Sequence, residues 1–300
     1  MSDIDIYLVD AFTDQIGAGN RAGVVFDADD LSADQMQNIA AFANVSETAF
    51  LIKSDDPSSH DIHVRYFTPA TEVPICGHAT IASHYLRTKR LGLSSGRVRS
   101  KTGAGILPVD IEKEGHDIKI IMTQGKPEMG DILAEEHVEE ALNALGITRN
   151  DLIQNLPVQF ATTGHGKVII PLKQNDVLQT INPDFEALKT LTRKIGHTGY
   201  FILTVRDDEA PYKTHGRMFA PAIGINEDPV TGNGNGPAGL YLSHHGMFKF
   251  DDQYSYLGTQ GEAMGKPGVI EVRVFKTDGN ISKLQVAGSA IEAGKLRYAL

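Results

Sequence analysis

Arg65-Tyr66-Phe67-Thr68-Pro69-Ala70 and Arg217-Met218-Phe219-Ala220-Pro221-Ala222 spell one pattern, Arg-x-Phe-x-Pro-Ala, twice. The step from 65 to 217 is 152 residues in a chain of 300, so the period is half the chain. Such a period marks a duplicated domain rather than a solenoid. The order of elements repeats with the letters. Thr48 to Ile52 and about Asp61 to Thr68 read as strands in the first half; Gly199 to Val205 and about His215 to Ala220 match them in the second. In each half the second strand stops at the repeated proline, which cannot donate to a ladder. A turn and a helix follow: Cys76-Gly77-His78-Ala79-Thr80 with Ala79 to Leu86, and Asp228-Pro229-Val230-Thr231-Gly232-Asn233-Gly234-Asn235-Gly236 with Pro237 to Leu242. The same step carried onto Cys76 pairs it with Asp228.

Outward from the repeat, Ile4, Ile6 and Leu8 alternate with polar residues, the period of a half-buried strand. Val24-Val25-Phe26 reads as its hairpin partner across a turn holding Gly17, Gly19 and Gly23. Ser32 with Gln35 three residues on spells a capping box, and Met36, Ile39, Ala40 and Ala43 share one helical face. Asn182-Pro183 reads as an N-cap and first helical residue, Leu188, Leu191 and Ile195 as the apolar stripe, and Gly196 as the stop. Gln124 to Ala134, with Gly125, Pro127 and Gly130, is the best linker candidate, and Glu135 to Leu145 the next helix. Val269 to Phe275 and Ile281 to Val286 flank Asp278-Gly279-Asn280 as a hairpin. Strands dominate and hairpins recur, so we expect an α+β fold of antiparallel or mixed sheets. Two domains are expected, residues 1–127 and 128–300, with a return of the last ~12 residues to the first left open.

The charge of -10, with 11 histidines counted neutral, leaves no basic footprint for phosphates, so neither nucleic acid nor an anionic membrane is an expected partner. Hydrophobic content of 41% and charged content of 22% are ordinary for a globular chain that buries its own core. The only cysteine, Cys76, excludes an intrachain disulfide. The acidic start Met1-Ser2-Asp3-Ile4-Asp5 lacks a signal-peptide pattern, and no apolar run reaches the roughly 20 residues of a membrane span. A cytoplasmic location is expected.

Equivalent loops of a duplicated pair are expected to face one another across a cleft, where ligand sites concentrate. A turn that opens a helix points backbone N–H groups at its ligand and favours an anion. A small carboxylated substrate could then be held without metal or cofactor, and none is expected. Glu47, in Val45-Ser46-Glu47-Thr48-Ala49-Phe50, is a carboxylate among small and apolar neighbours, where desolvation would raise its pKa toward a value useful for proton transfer; a solvated strand-edge glutamate has the same signature. Cys76 reads either as an activated thiol at a helix start or as a buried structural cysteine. His78 reads either as a catalytic partner or as a loop-bonding imidazole. Asp228, before Pro229, is either a plain turn residue or the ionisable partner of Cys76.

Three motifs mislead. Gly234-x-Gly236-x-x-Gly239 has dinucleotide-loop spacing but follows no apolar strand and contains Pro237. His60 with His63 and His244 with His245 lack a third ligand at a recognisable spacing. Gly164-His165-Gly166-Lys167 is too short for a phosphate loop.

Val9-Asp10-Ala11-Phe12-Thr13 with Gly19-Asn20, Ser46-Glu47-Thr48-Ala49-Phe50, the Arg65 hexapeptide, Gly77-His78-Ala79-Thr80, Glu227-Asp228-Pro229-Val230-Thr231-Gly232 and Gln260-Gly261 with Met264-Gly265-Lys266-Pro267 together resemble the PhzF-like phenazine-biosynthesis family over nearly the whole chain. The resemblance implies a diaminopimelate-epimerase-like fold, two domains in a pseudo-twofold arrangement, each a sheet wrapped around a central helix. It implies a cofactor-independent isomerase, dimeric by family analogy, acting by acid/base catalysis. Glu47 matches the family glutamate that moves the proton, His78 the family histidine and Asp228 the family aspartate. The turns around Gly77 and Gly232 match the carboxylate-holding loops. Asn20, Ser46, Gly77, Gly232 and Asn233 are the expected substrate-binding residues, and Glu47, His78, Asp228 and Cys76 the expected catalytic ones. Cys76 stands where phenazine isomerases carry a small non-thiol residue, and Asn233 where they tend to carry serine. The alternatives are an epimerase or racemase using Cys76, or a carboxylate-binding protein without turnover.

Overall fold

The computed structural model describes residues 3–206 and 211–300. The chain divides into two compact units, one from residues up to 123 together with 287–300, the other from 124–286. No helix of the described residues is long and apolar enough to cross a membrane.

In the first unit, β1 (Asp3–Ala11) pairs antiparallel with β2 (Asn20–Val25). The helix α1 (Ala33–Ala43) carries the chain to β3 (Glu47–Lys53), which lies parallel to β2 as a crossover requires. Ser32 and Gln35 do form the capping box, and Met36, Ile39, Ala40 and Ala43 are the buried face. Met36 and Ile39, 1% and 0% exposed, each contribute roughly 1.5–3 kcal/mol of burial. β4 (Ile62–Phe67) runs antiparallel to β3 and to the short β5 (Glu72–Val73). α2 (Gly77–Leu91) then crosses to β6 (Gly96–Thr102), parallel to β4, and β7 (Gly105–Glu114) and β8 (Asp117–Thr123) complete the unit's meander.

The second unit repeats this ladder. β9 (Glu128–Ile132) and the helix α3 (Glu135–Leu145) lead to β10 (Gln159–Thr162), which pairs antiparallel with β9 and with β11 (Lys167–Leu172). The expected linker therefore contains a strand; Gly130 sits in it because a Cβ there would lie 2.7 Å from the Phe160 ring. The helices α4 (Asn175–Thr180) and α5 (Phe185–Ile195) cross to β12 (Tyr200–Val205), parallel to β11. The α5 cap is Asp184, whose carboxylate accepts from the Ala187 N–H, and not Asn182 as the Asn-Pro pair suggested. Pro183 thus precedes the helix. β13 (Thr214–Ala220) is antiparallel to β12 and to β14 (Ile225–Asp228); α6 (Gly232–His244) then crosses to β15 (Gln253–Gln260), parallel to β13 and antiparallel to β16 (Gly268–Thr277). Asp278 and Gly279, both at positive φ, make the two-residue turn into β17 (Asn280–Gly288). The chain ends in β18 (Ala290–Ala299), antiparallel to β1.

β11 is buried along its whole length, so its two faces serve two cores. Val168, Ile170 and Leu172 pack with α3 and α5, while Ile169 packs with α6. α6 is buried on almost every side. Its first five residues, Gly232 to Gly236, are the run expected to be turn, with the helix expected to start only at Pro237. A Cβ at Gly234 would lie 2.3 Å from Phe201, at Gly236 2.5 Å from Gln124, and at Gly239 2.7 Å from Val272. The dinucleotide-like spacing is thus a packing stripe that lets one helix approach a sheet closely.

The repeat also corrects a pairing. Arg65 bonds Glu72 and Arg217 bonds Glu227, so the step between halves grows from 152 to 155 across the 3₁₀ turn at Pro221–Ile223. The α2 cap Cys76 consequently matches the α6 cap Thr231, and His78 matches Asn233. Asp228 lies three residues earlier, at the end of β14, and is not the counterpart of Cys76.

Candidate active site

Glu47 opens β3 and Cys76 caps α2, with His78 two residues into the helix. Chain crossing from β3 through β4 brings these distant residues together. Glu47 Oε2 lies 3.3 Å from His78 Nε2, and Ser46 Oγ lies 3.1 Å from the same nitrogen. Cys76 Sγ is 3.5 Å from the other nitrogen, Nδ1. The imidazole thus stands between a carboxylate and a thiol. The Glu47 side chain is 15% exposed and that of His78 8%, so both groups are poorly solvated. Gly77 keeps one side open: a Cβ there would meet nothing within 4 Å. No side chain caps α2; Thr80 Oγ1 instead donates to the Cys76 carbonyl at 2.7 Å. Because that hydroxyl proton is used, Tyr66 must donate its own to Thr80 Oγ1, 2.7 Å away. Burial pushes the Tyr66 phenol up, so it stays a donor. Asn20, the first residue of β2, is buried at 2% exposure.

In the second unit, Gly232 and Asn233 are the first two residues of α6 and follow the cap Thr231, which has no side-chain cap bond. Gln260, which sequence reasoning noted only as part of a motif, organises this turn. Its Nε2 donates to the Asp228 carbonyl at 2.6 Å, and its Oε1 accepts from the Thr231 N–H at 3.1 Å and the Asn235 amide at 2.9 Å. Gly261 beside it has φ +90, and a Cβ there would lie 2.3 Å from the Lys266 carbonyl oxygen, so only glycine fits.

Lys167 ends the Gly164-His165-Gly166-Lys167 run, which is too short for a phosphate loop. It is 3% exposed, and its Nζ donates to the Gly166 carbonyl at 3.1 Å and reaches Thr198 Oγ1 at 3.4 Å. Burial pushes the ammonium down to about 8, against the opposing pull of Asp228. A lysine whose folded value lies below its unfolded 10.5 carries its full penalty at pH below about 8, and the penalty fades as pH rises toward 10.5. Lys167→Met is expected to raise stability at pH 7 by about 1–3 kcal/mol. Gly166 keeps its bond from the Thr198 hydroxyl, 2.7 Å long, so no carbonyl is orphaned. Urea midpoints at pH 7 and pH 10 check this: the gain should shrink at the higher pH, and an equal gain at both would refute the assignment.

A duplicated α+β chain with a carboxylate, an imidazole and a thiol gathered at the start of a central helix is equipped for proton transfer. Residues 9–294 match the family model described as phenazine biosynthesis-like protein, and the chain belongs to that PhzC-PhzF family. It is 47% identical over 287 residues to the isomerase YddE of Escherichia coli K12, covering 95% of each chain. It is 30% identical over 291 residues to trans-2,3-dihydro-3-hydroxyanthranilate isomerase of Pseudomonas chlororaphis, covering 96% of each. The crystal structure of the Bacillus anthracis phenazine biosynthesis protein of the PhzF family superposes with a TM-score of 0.90 at 32% identity over 100% of both chains. The expected α+β epimerase-like fold is borne out, and the chain is an enzyme of the isomerase class.

Proposed function

We propose that the protein is a cofactor-independent isomerase that moves a proton between two carbons of a small carboxylated substrate, with Glu47 as the group that takes and returns it. The observation that carries this is the contact of Glu47 Oε2 with His78 Nε2 at 3.3 Å in a largely buried setting. In the first step a substrate C–H bond breaks and an O–H bond forms on Glu47, while the electron pair passes into the substrate's conjugated system. In the second, that proton goes to a different carbon and Glu47 is again a carboxylate, so nothing is consumed. His78 stabilises the charge that develops on the substrate, a role for a donor fixed before the reaction. Gly77 and Ser46 border the substrate in the first unit, as does Asn20. In the second we assign Asp228 as catalytic and Gly232 and Asn233 as substrate-binding, on the family motif.

The 3.5 Å contact of Cys76 Sγ with His78 Nδ1 favours a second reading, in which the thiol carries a proton and the reaction is an epimerisation or racemisation. One experiment separates these. Solvent-deuterium incorporation is followed by mass spectrometry over a panel of carbon acids that includes trans-2,3-dihydro-3-hydroxyanthranilate and amino acids. Exchange by the wild type that is lost in Glu47→Gln and kept in Cys76→Ser supports the glutamate shuttle. Loss in Cys76→Ser with activity left in Glu47→Gln supports the thiol. Tight carboxylate binding without exchange by the wild type would point to a binding protein.

A further inference from the structure

We infer that Glu47, Cys76 and His78 form a binding site for a thiophilic divalent cation such as Zn²⁺, and that the metal and the transferred proton compete for the same three groups. One ligand atom from each residue lies within 4.8 Å of the other two. With Nε2 as the imidazole ligand, the sulfur is 4.0 Å and the Glu47 oxygen 3.3 Å away. Tetrahedral zinc with bonds of about 2.0–2.3 Å sets neighbouring ligand atoms about 3.4–3.6 Å apart. The two imidazole distances are within about half an ångström of these spacings, and the sulfur and the carboxylate oxygen, within 4.8 Å of one another, would draw together by up to about 1.2 Å to close on the ion. A Cβ built on Gly77, between Cys76 and His78, would meet nothing within 4 Å, so the start of α2 leaves open space beside the cluster.

The charges agree with the geometry. A thiolate, a carboxylate and a neutral imidazole sum to -2, which a divalent cation neutralises. A second observation is that Glu47 Oε2 is shut off from solvent and makes no hydrogen bond of good geometry. That oxygen is thus available to a cation. Binding forms Sγ–Zn, N–Zn and O–Zn bonds and releases the thiol proton to solvent, with no change of oxidation state.

Binding rests on the donor geometry alone. Inhibition of catalysis by the metal rests in addition on the proton-transfer reading, so the test reads binding directly. Purified wild-type protein is titrated with Co²⁺, whose absorption spectrum reports its ligands, and then with Zn²⁺. A sulfur-to-cobalt charge-transfer band that saturates at one equivalent and is displaced by Zn²⁺ is expected. The band should vanish in Cys76→Ser. In Glu47→Gln it should persist with at least ~10-fold weaker affinity, which keeps the idea testable even if Cys76→Ser fails to fold. No band in the wild type, or unchanged affinity in Glu47→Gln, overturns the site. A band that survives in folded Cys76→Ser would overturn it too. Loss of deuterium exchange on zinc addition, in protein that shows the band, would then tie the site to regulation. Retained exchange with the band present would refute the competition while leaving the binding site intact.

Discussion

Arg217→Met is expected to cost about 3–5 kcal/mol of stability, and Arg65→Met, the same change at the repeated position, no more than about 1 kcal/mol. Both arginines make a two-pronged bond to a glutamate, at 2.8 and 2.8 Å for Arg217 with Glu227 and 2.7 and 2.7 Å for Arg65 with Glu72. Both also lie over the phenylalanine two residues on, at 5.0 and 5.1 Å. What differs is solvent. The Arg217 and Glu227 side chains are 6% and 13% exposed, against 23% and 44% for Arg65 and Glu72. Removing Arg217 strands a poorly solvated carboxylate, whereas Glu72 can turn to water. Arg217 has a second duty, because its Nη1 donates to the carbonyls of Leu178 and Ile181 at the end of α4. Those are carbonyls a helix end leaves without partners. Arg65 spends the equivalent nitrogen on a weak 3.6 Å contact with the Met36 sulfur. Arg217→Met with Glu227→Leu should recover part of the loss and not all of it, since the α4 carbonyls stay unpaired. Urea midpoints of the three variants against wild type decide the matter, and equal losses at Arg65 and Arg217 would show that burial is not what sets the scale.

The same pair shows how far the sequence could be read. The repeated hexapeptide exposed the duplication because its residues hold a strand end and a proline stop in both units. Counting onward at a fixed step failed beyond Pro221, where the second unit inserts three residues before its glutamate. Had the glutamates been matched as partners of the repeated arginines, Cys76 would have fallen on Thr231 directly. The start of α6 was illegible for a different reason. Glycine costs a helix about 1 kcal/mol, so Gly232 to Gly236 reads as a turn and the helix as starting only at Pro237. It becomes helical because close contact with Phe201, Gln124 and Val272 needs residues without a Cβ. Tertiary packing overrides local preference there. In β9, Gly130 misled in the same way. At the candidate site, Cys76 and His78 were readable as neighbours two apart, but Glu47 is separated from them by two strands. Only the ladder of β3 on β4, and β4 on β5, brings it to them.

His84→Gln is expected to remove a steep loss of stability that the wild type suffers below pH 6.5. His84 sits midway along α2, fully buried at 0% exposure. Its Nε2 is 3.3 Å from Ser100 Oγ, while its Nδ1 has no partner. Burial first, and then the nearby Arg87 charge, push it from 6.5 down to about 3. The folded protein therefore holds this ring neutral where the unfolded chain binds a proton. Because the folded value is the lower one, the contribution is complete above about 6.5 and drains away as pH falls toward 3. Each pH unit in that window costs about 1.4 kcal/mol, or roughly 2 kcal/mol by pH 5. Glutamine fills much of the same space and can still meet Ser100, but it takes up no proton. Denaturant unfolding at pH 7, 6 and 5 should give wild type the steeper decline, by close to one proton's worth of slope. Parallel declines would mean that the acid sensitivity of α2 comes from elsewhere. The effect matters for function because α2 also carries Cys76 and His78 at its start. In the wild type, an acid limb of activity will mix the chemistry of the site with loss of the helix that builds it. His84→Gln separates the two: an acid limb that remains after the helix has been made acid-resistant belongs to the proton-transferring groups themselves.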